Sequence, residues 1–263
     1  MKSSNPVLKN LPSAQGAQGY QNYQGYQPLP QVERPMTVDD VTTKTGITLA
    51  VIVLGALISF GLFASGMDAA GTVATAVGGV GAFIVVMVHS FSRKYGSKAL
   101  TLSYALLEGL FLGGFSLMIT GAFSVGGADA GALIGQAVIG TIGVFIGMLF
   151  VYRTGAIRVT PRFNRLLTAA LVGVFVLALG NLLLFLFTGM SPLRGGGTLS
   201  IIFGLVCVVL ASLAFLQDFD QVDKLVRVGA PEQAAWGAAL GLAVTLVWLY
   251  TEILRLLAIF NDR

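Results

Sequence analysis

From Gly46 to the C-terminus the chain alternates between long apolar stretches and short polar connectors. Seven apolar segments can be drawn, with approximate limits 46–65, 70–91, 98–122, 131–152, 165–189, 198–217 and 234–260. About 20 predominantly apolar residues suffice to cross a bilayer as a helix. The pattern therefore predicts an all-α integral membrane protein, a seven-transmembrane-helix bundle over residues 41–263. Residues 1–40 are a different material. The tract QGAQGYQNYQGYQPLP places Gln15, Gln18, Gln21, Gln24 and Gln27 three apart, with Tyr20, Tyr23 and Tyr26 in step. Such a tract buries too little apolar surface to offset its ordering entropy, so a disordered tail is expected there. Between tail and first span, MTVDDVTTKTG (36–46) predicts a short amphipathic entry in which Thr37 and Asp40 have capping-box spacing.

Composition agrees. Hydrophobic residues make up 55% of the chain and charged ones 11%, against about 25% charged in soluble domains. The net charge of +4 matters less than its distribution, because basic residues collect on the cytoplasmic side. With the N-terminus inside, that side carries Lys2, Lys9, Arg34, Lys44, Arg93, Lys94, Lys98, Arg153, Arg158, Arg162, Arg165, Lys224 and Arg227. The opposite face carries Arg194, Arg255 and Arg263. Thirteen against three places the C-terminus outside. The only cysteine, Cys207, lies in an apolar run, which predicts a small buried hydrophobe. The first apolar stretch follows a long polar tail, so no cleavable signal peptide is expected.

Glycine pairs recur at small-xxx-small spacing: Gly109 and Gly113, Gly131 and Gly135, Gly143 and Gly147, Gly237 and Gly241. Small residues let helix backbones approach closely in lipid, so spans three, four and seven are expected to pack tightly.

Ionisable groups inside spans are functional candidates by default. Glu108 sits about ten residues into the third span, roughly 15 Å deep at 1.5 Å per residue, with no cation three or four positions away. It must be protonated, hydrated or paired with another helix, and a place in an ion path is the preferred reading. In the seventh span, Thr245 lies near mid-depth and Glu252 two turns later on the same face; Arg255, three residues beyond, predicts a local ion pair. At the end of the sixth span, Asp220 and Asp223 precede Lys224 and Arg227 by four residues, the spacing of surface pairs. Asp218 has no such cation. His89, the only histidine, is expected at the interface. Serine-hydrolase, zinc-protease and phosphate-loop motifs are missing from the sequence, so no enzymatic activity, no cofactor and no nucleic-acid partner are expected.

Seven spans, EGLFLGG in the third, QDFDQV closing the sixth and ILRLL in the seventh together resemble the Bax inhibitor-1 family. The match is nearest to its bacterial branch, which shares the TVDDV–TKTG lead-in, and it covers about residues 36–260. The resemblance implies a bundle with helix seven central and wrapped by the other six, in the cytoplasmic (inner) membrane of a bacterium. It also implies a pH-governed calcium leak, in which an aspartate ending helix six and another in helix seven share a proton. Two close carboxylates in low dielectric cannot both ionise cheaply. The helix-six aspartate corresponds to Asp218. A gapless match of helix seven from Ala239 to Leu257 sets Thr245 where the second aspartate stands, and a shorter local match would instead choose Glu252.

The expectation is thus a calcium-permeable leak with Glu108 in its path and Asp218 near its cytoplasmic mouth, calcium binding transiently at these two acids. A second expectation, from another functional class, is a regulatory membrane protein that binds a membrane protease or quality-control partner through the N-terminal tail.

Overall fold

The computed structural model describes residues 34–91, 96–123 and 130–261. The Gln/Tyr tract, Lys2, Lys9, Arg93, Lys94 and Arg263 lie outside the described residues. Seven helices follow one another: α1 (Val38–Ala64), α2 (Asp68–Phe91), α3 (Lys98–Phe123), α4 (Ala130–Thr154), α5 (Pro161–Thr188), α6 (Thr198–Arg227) and α7 (Ala234–Asn261). Each is long and apolar enough to cross a membrane. Large apolar side chains such as Val80, Phe150 and Phe187 are exposed, as expected where lipid is the outer solvent.

Helix starts follow local chemistry. The Thr37 side chain accepts from the Asp40 backbone N–H, and the Asp40 carboxylate accepts from the Thr37 N–H, a complete capping box. The entry segment expected at 36–46 thus runs directly into α1, with Thr37 as its cap. The Thr160 side chain accepts from the Phe163 N–H to cap α5, followed by Pro161 at the first helical position, where a missing N–H costs nothing.

Helix α7 is the axis of the bundle. Sixteen of its 28 residues are buried, and it packs against α1, α3, α4 and α6. Helices α2 and α5 lie further out: α2 rests mainly on α3 and α1 and meets α7 through side chains such as His89 against Gly237, and α5 rests on α6. Of the six helices expected to wrap α7, four pack closely along its backbone. Helix α5 buries only Leu167 and Asn181, too little small or polar surface to compete with lipid for a second layer of contacts.

The glycine pairs divide by what lies opposite. A Cβ on Gly109 would collide with the Ile52 carbonyl and approach Gly55 Cα at 2.9 Å, and one on Gly113 would meet Ser59 Cβ at 2.7 Å. These two let α3 lie directly on the α1 backbone. In α4, by contrast, Gly135, Gly143 and Gly147 face open space, as does Gly241 in α7. The tight packing expected of them is not realised, because small-residue spacing permits close approach without supplying a neighbour.

One end of the bundle gathers the chain entry, the α2–α3 connector and the α6–α7 connector. Met36 N–H donates to the Ala230 carbonyl at 2.7 Å and Glu232 N–H to the Arg34 carbonyl at 3.0 Å. Arg34 and Lys44 both reach Glu232, at 3.1 and 3.2 Å, and the hydrogen-bonded Asp40 carboxylate, helped by Glu232, raises the Arg34 pKa. Gly96, at φ +90°, brings the α2–α3 connector so close to Gln233 that no Cβ would fit. The ammonium groups of Lys44 and Lys98 lie over the Trp236 ring, 5.6 and 5.7 Å from its centroid, a cation–π arrangement suited to a membrane interface. The α5–α6 connector sits at the other end of α7.

Candidate functional site

The acids divide as their spacing predicts. Asp220 is bound by Lys224 at 2.5 Å and Asp223 by Arg227 at 2.7 Å, both one helical turn apart. Asp218 is rotated away from that face toward α7. The Thr245 hydroxyl donates to its Oδ2 at 2.7 Å. Among the described residues no cation lies within ion-pair distance of Asp218, the basic α4–α5 connector included. Nine residues separate Asp218 from Arg227 at the end of α6, roughly 14 Å at 1.5 Å per residue, so it is recessed from the helix end.

The pairing of Asp218 with Thr245 has a specific chemical capacity. Thr245 Oγ1 also lies 3.3 Å from the Gly241 carbonyl. A hydroxyl has one proton to give and two lone pairs to accept with. With Asp218 ionised, Thr245 donates to the carboxylate. With Asp218 protonated, the acid can donate to Thr245 and the hydroxyl can turn to Gly241. Either protonation state is therefore satisfied by a small rotation of one hydroxyl, without a second carboxylate. The gapless helix-seven match points to this contact, and it is the one the fold makes.

Glu252 is elsewhere. It is 1% exposed, as is Arg255, and Arg255 Nη2 donates to Glu252 Oε2 at 2.5 Å with Nε at 3.2 Å. The expected local pair is present, but it is a fully buried one. Arg255 Nη1 donates to Ser200 Oγ at 2.8 Å and to the Leu193 carbonyl at 3.5 Å. Arg194 Nη2 reaches Glu252 Oε1 at 3.4 Å. Asn181 of α5 holds the same connector, donating to Ser191 and accepting from Leu193 N–H. The α5–α6 connector is thus tied over the end of α7. Asn181, Arg194 and Ser200 had no sequence signal of their own, since their partners lie 10 to 58 residues away.

Glu108 lines a recess of about 440 Å³ bounded by α2, α3 and α7, with Phe83, Tyr104, Phe111, Trp248 and Thr251 among its walls. Its carboxylate makes no hydrogen bond or ion pair among the described residues. Asp218 and Glu108 share no partner and no recess wall: one meets α7 from α6, the other from α3. Among the described residues no three His, Cys, Asp or Glu side chains are grouped to hold a metal ion. Cys207 is a buried free thiol. His89 is half-buried beside Gly237 at the start of α7, its Nδ1 enclosed without a partner.

Comparison with known proteins agrees with this architecture. No curated protein matches the chain. A family model described as Bax inhibitor 1 like matches residues 5–262, nearly the whole length. With seven apolar helices in the expected order and α7 at the centre, this seven-helix membrane protein belongs to the Bax inhibitor-1 family.

Proposed function

We propose that the protein is a cation leak, selective enough to pass calcium, whose path follows α7 with Asp218 at the cytoplasmic mouth and Glu108 as a mid-depth carboxylate. The observation that carries this reading is Asp218. An acid inside a span, recessed from the helix end and paired only with a hydroxyl, has no structural need that an amide would not meet, and intramembrane acids of this kind mark ion pathways. The Thr245 hydroxyl gives the site two satisfied protonation states, a basis for pH sensitivity that one carboxylate can supply. In this reading the protein sits in a bacterial inner membrane with the N-terminus in the cytoplasm, because the connectors at the Trp236 end carry the basic residues.

The test is calcium entry into proteoliposomes at several pH values. Wild type conducts, Asp218→Asn loses pH dependence, and Glu108→Gln reduces flux. Absence of flux in wild type, or identical flux in all three, overturns the proposal.

One observation favours a second reading. Arg34 and Met36, which follow the tail in sequence, are hydrogen-bonded to the α6–α7 connector. A membrane partner held by the tail would therefore pull on the entry to α7, making the protein a regulator rather than a conduit. Crosslinking with and without residues 1–33 separates the two, because a leak requires no tail-dependent partner.

A further inference from the structure

The recess at Glu108 differs in chemistry from an inorganic ion site. A calcium ion takes six to eight oxygen ligands. Here one carboxylate and the hydroxyls of Tyr104 and Thr251 are the side-chain oxygens in the wall. The rest is hydrocarbon and aromatic: Phe83, Phe111 and Trp248 join Tyr104 around the single acid. Carboxylate and ring faces both attract a cation, and aromatic faces favour one that is weakly hydrated. The recess also lies on the bilayer side, since Phe83 on its rim is 58% exposed. An amphiphile already dissolved in the bilayer can therefore reach the recess laterally. At about 440 Å³ the space falls in the usual range for small-molecule sites.

We infer that the recess between α2, α3 and α7 binds an amphiphilic organic ammonium ion, a monocationic amine with an apolar body, its nitrogen against Glu108 and its body among Phe83, Phe111 and Trp248. One negative charge matches one positive charge, and the apolar body replaces lipid in the recess. The occupant stands where the proposed permeant ion would pass, so it would act as a blocker. Binding itself does not depend on the protein being a leak.

The experiment uses the full-length protein in lipid nanodiscs and a brominated benzyl quaternary ammonium as probe, with its neutral carbon isostere as control. Bromine quenches a neighbouring indole, and the signal of Trp248 is isolated by comparison with Trp248→Phe. Partition into lipid gives quenching linear in probe, whereas site binding saturates. The expected result is saturable quenching in wild type, weakened at least tenfold by Glu108→Gln and not produced by the neutral isostere. Glu108→Asp, which keeps the charge, guards against misfolding by retaining saturable binding. Equal saturable quenching by the isostere, or in a folded Glu108→Gln protein, would make the recess a lipid groove and overturn the inference. Displacement of the probe by equimolar calcium would overturn it in favour of a metal site. Calcium flux plays no part in the readout, so failure of the leak reading and failure of this one are distinguishable.

Discussion

Replacing Arg255 with methionine removes the centre of the buried cluster at the far end of α7. The guanidinium contacts Glu252 twice, Ser200 and the Leu193 carbonyl. Without it, Glu252 at 1% exposure retains only Arg194, at 3.4 Å. Breaking one side of a buried pair costs about 3–5 kcal/mol, because the surviving charge stays desolvated, whereas replacing both partners with apolar groups of similar volume is often near neutral. Arg255→Met should therefore be far less stable than Arg255→Met/Glu252→Met. The Arg194 side chain is 43% exposed, so Arg194→Gln should cost no more than about 1 kcal/mol. For a chain of this size about 2–4 °C of melting temperature corresponds to each kcal/mol. The single substitution should then lower it by about 6–20 °C and Arg194→Gln by no more than about 4 °C. Cys207, buried and the sole cysteine, provides the assay: a fluorogenic maleimide reports the temperature at which the thiol becomes accessible. A double variant as unstable as Arg255→Met, or an Arg194→Gln shift as large, would show that packing rather than charge compensation governs this end.

The glycine faces give a paired test by the same melting assay. Gly109→Val drives a side chain into the α1 backbone and should cost at least about 1–3 kcal/mol, while Gly143→Val, facing open space, should stay within about 0.5 kcal/mol. Thr245→Val removes the Thr245 hydroxyl's hydrogen bond to Asp218, a bond to a charged group worth about 1.5–3 kcal/mol. Calcium flux should change by about tenfold or more, with Thr245→Ser behaving as wild type. Glu232 is 38% exposed and holds Arg34 and Lys44, so Glu232→Gln should lower the melting temperature slightly at low salt. In 1 M salt, where screening acts within about 3 Å, that difference should vanish.

What the sequence determines by itself is local. Length and apolarity define seven helices, since backbone groups in lipid must be satisfied within the segment. Residue spacing within one helix gives the Thr37–Asp40 box and the pairs of Asp220 with Lys224, Asp223 with Arg227 and Glu252 with Arg255, because 3.6 residues per turn fixes those neighbours. The absence of a cation one turn from Asp218 or Glu108 was equally visible. What stands opposite each acid was not, because lateral packing between helices of similar apolarity has no periodic signature. Only the tertiary structure seats Asp218 on Thr245, leaves Glu108 facing aromatic rings in a recess, and folds the α5–α6 connector back so that Arg194 and Ser200 join the Glu252–Arg255 pair. It also decides which glycines work. Gly109 and Gly113 meet α1, while Gly143 and Gly147 meet nothing, although their spacing is identical. Close approach needs a small surface on both partners, and one sequence segment describes only one of them.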